Sequence, residues 1–348
     1  MNAGSLVGQI MSLLQFARFL RTDTLGASVT MVLLGAATAS SKLTPAMVPG
    51  LVAVAVSFHV YAYVLNDVVD LPIDRTDPRR RNSPLVAGQI STAAALAFAL
   101  VQIPVLALLI VLIGGGFSAF VALGVLVAAV TIYDLWGKRS PMPPMTDLVQ
   151  GVAWGALGWL AAEFTGGAGR WTVVLALYFL AFIMLANGVH GSIRDLANDS
   201  RHGARTTATW FAAVSDGSGA VKVEGRYLGY AMTLQIVTVT LAFIPTALAW
   251  APGRSLQVVL MAVGGAASTI LLVAAARAGD RHRQLVLGAW HLILILASVF
   301  LMVADRLPPW ALFAAMFCYL APFASYRWLF RPKPADGTHW TVESAQAR

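Results

Sequence analysis

The stretch Ala46-Met47-Val48-Pro49-Gly50-Leu51-Val52-Ala53-Val54-Ala55-Val56-Ser57-Phe58-His59-Val60-Tyr61-Ala62-Tyr63-Val64-Leu65-Asn66 carries no formal charge and runs directly into Asp67-Val68-Val69-Asp70-Leu71-Pro72-Ile73-Asp74. About 20 mostly apolar residues are what a helix needs to cross the hydrocarbon of a bilayer. The run is therefore a membrane-crossing helix with a carboxylate-rich end. Similar apolar runs lie at 22–41, 91–112, 116–136, 147–165, 171–193, 227–250, 255–276, 285–304 and 309–329.

Composition agrees with that reading. Of 348 residues, 58% are hydrophobic and 11% charged, against roughly 25% charged in an average soluble protein. A water-soluble core cannot hide that much apolar surface, and disordered chains are poor in apolar residues. Soluble and disordered classes are both excluded. The one cysteine, Cys318, excludes an internal disulfide and a cysteine-based zinc site. The N-terminus lacks the pattern of a cleavable signal peptide. One polytopic domain over 1–348 is expected, with its core at about 14–305, an additional helix at 309–329 and a flexible tail at 333–348.

The net charge of +8 could attract nucleic acid or mark cytoplasmic loops. With these spans, 20 of the 24 Lys and Arg fall on the side of the termini; Lys42, Arg170, Arg254 and Arg306 fall on the other. That is the positive-inside pattern. It predicts cytoplasmic termini and long loops and no role in binding nucleic acid.

On a helix turning 100° per residue, Asn66, Asp67, Asp70 and Asp74 share an arc of roughly 100°. His59 and Tyr63 lie in the same arc, and Pro72 loosens the last turn without reversing it. Ionisable groups at membrane depth are functional by default. Three carboxylates on one face need a cation, and oxygen ligands favour a hard one such as Mg²⁺, which commonly shares its shell with a substrate phosphate.

A second acidic run, Arg194-Asp195-Leu196-Ala197-Asn198-Asp199, follows the sixth span. Asp195 and Asp199 are helix neighbours. Asn187, His190, Arg194 and Asn198 form a polar stripe beside them, with Asn187 and His190 deep enough to meet an acceptor. If the two acidic ends face each other, they form a site where Mg²⁺ could hold a diphosphate as it leaves. Lys138 and Arg139, after Tyr133-Asp134-Leu135-Trp136-Gly137, stand at the mouth of the fourth span as candidate diphosphate donors. Arg79, Arg80 and Arg81 read as contacts to anionic lipid headgroups or loop packing.

These residues resemble a known family. Asn66-Asp67-x-x-Asp70-x-x-x-Asp74 with Pro84-Leu85-x-x-Gly88 is similar to the first signature of UbiA-type intramembrane prenyltransferases. Asp195-x-x-x-Asp199-x-x-x-Gly203-x-x-Thr206 is similar to the second. Tyr133 with Lys138-Arg139 resembles the tyrosine and basic pair that follow the fourth helix. Ser83 stands where the family often has Arg, and Ser192 where an acidic residue often stands. The resemblance implies an all-α integral membrane protein: nine helices, ten with 309–329, around a central cavity with a cytosolic cap. It implies Asn66, Asp67, Asp70, Asp74, Asp195 and Asp199 as ligands of Mg²⁺-diphosphate. Lys138, Arg139, Arg194 and Tyr133 would contact the diphosphate, with Asn187, His190 and Tyr63 lining the acceptor or cation pocket.

The implied reaction is Mg²⁺-dependent transfer of a prenyl group from an isoprenyl diphosphate to a small aromatic acceptor through an allylic cation. Two readings compete with it: a terpene cyclase on the same scaffold, with no second substrate, and an ion-coupled transporter. Transporter sites usually lie at the midplane, whereas these carboxylates lie at helix ends. Phe58, Tyr61, Tyr63, Trp136, Trp154, Trp159, Tyr178 and Phe182 are candidates to face a cation.

Overall fold

The computed structural model describes residues 15–76, 80–215, 221–250 and 255–329, with Asp23 and 321–329 described in backbone only. The tail 333–348, Arg79 and Arg254 lie outside the described residues. The chain is almost wholly helical: α1 Thr22–Ala37, α2 Val48–Val69, α3 Leu71–Asp74, α4 Thr92–Leu100, α5 Gln102–Leu112, α6 Phe117–Trp136 and α7 Pro143–Phe164. There follow α8 Arg170–Ile183, a wide π-type turn Met184–Gly191, α9 Ser192–Arg201, α10 Thr207–Trp210, α11 Gly225–Ala247, α12 Ser255–Ala276, α13 Arg281–Val303 and α14 Pro309–Leu329. A two-residue hairpin, β1 Val214–Ser215 with β2 Val221–Lys222, is the one sheet among the described residues.

Seven of these segments are long and apolar enough to cross a bilayer, and the protein is an integral membrane protein. The sequence reading expected ten. The difference has physical causes. α1 has only 16 residues. α7 carries Asp147, Gln150 and Glu163 among its glycines. The sixth span also continues unbroken through the second acidic run, from Arg170 to Arg201, and the third bends between α4 and α5 at Val101.

Glycines set the centre of the bundle. A Cβ on Gly35 of α1 would stand 2.4 Å from the Gly158 carbonyl of α7, and one on Gly151 of α7 would stand 2.7 Å from the Leu180 carbonyl of α8. Small residues let membrane helices approach to backbone contact, where dispersion substitutes for a hydrophobic drive that lipid does not provide. α7 is accordingly buried along most of its length. α1 is tied to α2 by His59, whose Nδ1 lies 3.0 Å from Ser28 Oγ and whose Nε2 lies 2.9 Å from the Leu20 carbonyl. At the other end of α1, Arg306 donates to the Ala37 and Ala39 carbonyls at 2.8 and 2.7 Å. These bonds satisfy acceptors that the helix terminus leaves open.

Candidate functional site

α2 ends one turn after Asn66 because Pro72 cannot donate the next ladder bond. Asp70 is its C-cap, and the Asp74 amide still bonds back to the Asp70 carbonyl at 2.9 Å. The chain therefore bends without turning Asp74 away. Both signature glycines sit in the left-handed region, Gly88 at φ 72 and Gly203 at φ 65, where a side chain is strained. Gly203 stops α9, and the next amide, of Ala204, returns to the Asp199 carbonyl at 2.9 Å. Thr206 then caps α10, and Thr207 donates its hydroxyl to buried Asp147. The Arg205 amide donates to the Lys138 carbonyl at 2.9 Å and pins that loop over α9.

The two acidic ends meet. Lys138 Nζ lies 2.8 Å from Asp70 Oδ2 and 4.0 Å from Asp199 Oδ1, so one ammonium bridges the first motif and the second. Burial opposes that charge, but Asp70, Asp199 and Asp74 outweigh it and hold Lys138 above the ordinary lysine value. Asp67 is 4% exposed and pairs with Arg21; Arg80 Nη1 lies 3.8 Å from Asp67 and its Nε 3.8 Å from Asp74. Burial pushes the Asp74 carboxyl up, with Arg80 opposing and Asp67 and Asp70 adding to it. Asn66 donates to Asp134 Oδ1 at 3.1 Å, which turns its carbonyl oxygen elsewhere. Arg194 holds Asp195 at 2.8 Å.

Below this cluster lies one cavity of about 740 Å³. Asn66, Asp70, Asp74, Tyr133, Lys138, Arg194, Asp195 and Asp199 line its polar end, and Met31, Trp154, Phe182 and Leu292 its apolar part. On α7 the lining residues Pro143, Asp147, Gln150 and Trp154 follow the helical repeat. Trp154 is therefore about 16 Å from the start of that helix at 1.5 Å per residue. The space is polar at one end and apolar along its depth, as an amphiphile with a charged head requires.

Of the sequence-predicted groups, Tyr63 and Asn187 also line the cavity, Asn187 donating to Gln150. Tyr63 lies under the Arg21 guanidinium, 5.4 Å from ring centre to Cζ. His190 is not among the lining residues; its Nε2 is 2.8 Å from His291 Nδ1, a helix–helix bond. Arg139 is exposed and is likewise outside the lining. Trp154 and Phe182 line the cavity, whereas Phe58, Tyr61 and Tyr178 pack in the core and Trp136 is 56% exposed. Arg80 faces carboxylates rather than lipid headgroups. Sequence reasoning also missed Arg21, Asp134, Asp147 and Gln150. The signal for the two acids was that each is a lone carboxylate inside an apolar run.

The donor set suits a hard divalent cation. Every candidate ligand in the cluster is an oxygen, and protein cations already sit against it. Among the described residues no three acidic, histidine or cysteine side chains enclose an ion by themselves. A cation bound here needs further ligands from water and a phosphate, which is how Mg²⁺ is usually held.

The chain is similar to known proteins in sequence and in fold. Protoheme IX farnesyltransferase of Anaeromyxobacter sp. (strain Fw109-5) is 30% identical over 167 residues, covering 44% of this chain and 54% of the relative. Mitochondrial 4-hydroxybenzoate polyprenyltransferase of Aedes aegypti is 34% identical over 152 residues, covering 42% and 32%. The chain thus spans about half or less of the length of these curated relatives. In fold, it is similar to a UbiA homolog from Archaeoglobus fulgidus bound to GPP and Mg²⁺, with TM-score 0.58 at 16% identity, covering 83% of this chain and 99% of that one. A digeranylgeranylglyceryl phosphate synthase structure gives TM-score 0.64 at 16% identity, covering 84% and 98%. The sequence model of the UbiA prenyltransferase family matches residues 28–285, and the chain belongs to that family.

Proposed function

We propose that this protein transfers a prenyl group from an isoprenyl diphosphate to a small aromatic acceptor, with Mg²⁺ as cofactor. The observation that carries the reading is Lys138, which touches Asp70 and Asp199 together at the head of an amphiphilic cavity. The matched relatives are named as prenyltransferases, and the fold neighbour from Archaeoglobus fulgidus binds GPP and Mg²⁺. We propose ten helices, α14 being the tenth, in one polytopic domain whose core is 14–305. The described parts of the excursion after α9, 202–215 and 221–224, form a cap on the cytosolic side, where the basic residues gather. Membrane lipid surrounds it, and the basic excess is a topology signal rather than a nucleic-acid surface.

Asn66, Asp67, Asp70, Asp74, Asp195 and Asp199 are the groups that hold Mg²⁺. When bound, it neutralises the diphosphate and lowers the barrier to charge separation. The chain's own cations do the rest at that end. Lys138, Arg194, Arg21 and Arg80, with Tyr133, bind the diphosphate oxygens and stabilise the leaving anion as the C–O bond breaks and its electron pair departs. Trp154 and Phe182 offer ring faces to the allylic cation, worth about 0.5–2 kcal/mol each, while Tyr63, already against Arg21 and His59, adds to the lining of the pocket. Asn187 and Gln150 orient the acceptor, whose electron pair forms the new bond and which then loses a proton. The apolar walls exclude water that would otherwise capture the cation as an alcohol.

The test is diphosphate release by purified protein given Mg²⁺ and geranyl, farnesyl or geranylgeranyl diphosphate. Release that depends on an aromatic acceptor supports transfer. Rapid cyclic product formation without an acceptor replaces transfer by cyclisation, and no release with any donor overturns both.

A further inference from the structure

The family match ends at residue 285, yet the cavity wall does not. α14 begins at Pro309 and runs antiparallel to α1, its most extensive packing partner. Thr30 Oγ1 of α1 donates to the Ala315 carbonyl of α14 at 2.8 Å, and Thr30, Ala311 and Ala315 are fully buried. The small side chains of Ala311 and Ala315 repeat every four residues on the face that meets α1, which allows the two backbones to approach. One further turn along that face is Tyr319. Tyr319 and Leu320 both line the cavity, as do Ala27 and Met31 of α1 and Leu292 of α13.

The level of this contact follows from the helix rise. Tyr319 is one turn from Ala315 towards the acidic end, which puts it beside Ala27. Ala27 is six residues into the membrane from Arg21, or about 9 Å at 1.5 Å per residue. A molecule whose charged head lies at Lys138 and Asp70 therefore presents its apolar portion, not its head, to Tyr319. Direct packing between α1 and α13 is slight, and Tyr319 and Leu320 of α14, which packs on α1, add to the cavity lining there.

We propose that the Tyr319–Leu320 edge of α14 is a specificity-determining wall for the isoprenoid tail: it bounds the cavity laterally and sets the bulk of tail that fits. This rests on the prenyl diphosphate reading above. Shortening Tyr319 opens volume beside the tail, and filling position 320 removes it. One or two methylenes in an apolar pocket change selectivity by about tenfold or more.

Two experiments on the full chain test this. The first compares kcat/KM for geranyl and geranylgeranyl diphosphate in Tyr319→Ala, Tyr319→Phe and Leu320→Trp. Tyr319→Ala is expected to raise the longer-to-shorter ratio about tenfold, Leu320→Trp to lower it comparably, and Tyr319→Phe to leave it near the parent value. The second needs no turnover. In a Cys318→Ser background, Tyr319→Cys is alkylated with N-ethylmaleimide with and without geranyl thiolodiphosphate and Mg²⁺. Protection by the analogue is expected. Unchanged ratios in active variants overturn the proposal, as does unprotected alkylation while the same analogue still inhibits turnover. If the parent protein neither releases diphosphate nor binds the analogue, the prenyl diphosphate reading itself falls, and this inference with it.

Discussion

Lys138 Nζ and Asp70 Oδ2 are 2.8 Å apart although 68 positions separate them along the chain, and the ammonium that joins them also reaches Asp199. The first acidic motif and the second are thus held together by a third segment, the loop after α6. Removing that ammonium takes away the cation that bridges Asp70 and Asp199 and, on the function proposed above, one donor to the leaving diphosphate. Lys138→Met should lower kcat/KM for diphosphate release by about 10²–10³-fold, the usual effect of deleting one preorganised charge-stabilising donor. Lys138→Arg should recover part of it. Steady-state kinetics on both variants decide this; a loss below tenfold in Lys138→Met would leave the bridge without a catalytic role.

Metal dependence can be separated from folding. Chelation by EDTA should stop turnover and restoring Mg²⁺ should return it. Asp70→Asn should behave as the chelated enzyme does even with Mg²⁺ present, while eluting as a monodisperse species in detergent. Asn keeps the shape but loses the charge that a hard cation needs. Full activity in EDTA would eliminate the metal from the reaction.

Much of this site was legible in the sequence because its parts are local. The carboxylates repeat at helical spacing, and signature glycines fall where Gly88 and Gly203 need positive φ. What was not legible is long-range pairing. Arg21 and Arg80 look like topology signals in a chain whose basic residues gather on one side, and only the folded chain brings both against Asp67. His190 reads as an acceptor-side group of a polar stripe and His291 stands alone in its span, yet the two bond across 101 positions. That seven segments rather than ten are long and apolar enough has a related cause. α7 lines the cavity with Asp147 and Gln150, so the function of the helix lowers the hydropathy by which a span is recognised.

The backbone contacts that centre α7 predict a stability effect remote from the chemistry. Gly35→Ala puts a methyl 2.4 Å from the Gly158 carbonyl and 2.8 Å from its Cα, both backbone atoms that cannot rotate away. Overpacking of this kind costs about 1–3 kcal/mol. Thermal unfolding in detergent should show Gly35→Ala well below the parent, whereas Gly124→Ala, with nothing within 4 Å of the new methyl, should match it. Equal melting temperatures would mean that α1 and α7 do not meet through Gly35.

A final prediction concerns the polar chain inside the bundle. Ser268 Oγ and Thr269 Oγ1 both donate to the Gly265 carbonyl, at 2.9 and 2.8 Å, so each is left to accept from Gln235 Nε2, at 2.7 and 3.1 Å. With its nitrogen so used, Gln235 offers Oε1 to His291 Nε2 at 2.9 Å, which makes His291 Nδ1 the acceptor for His190 Nε2. Every link therefore has one assigned direction, donation running from the π-type turn that carries Asn187 into the cavity to the Gly265 carbonyl of α12. His291 is fully buried, and replacing it with Leu strands a donor on His190 and an acceptor on Gln235. Each unsatisfied group of that kind costs about 1–3 kcal/mol. His291→Leu should lower the unfolding temperature, and adding Gln235→Leu should cost less than the same change does in the parent, because its partner is already gone. Strict additivity in that double-mutant cycle would show that the two side chains do not interact.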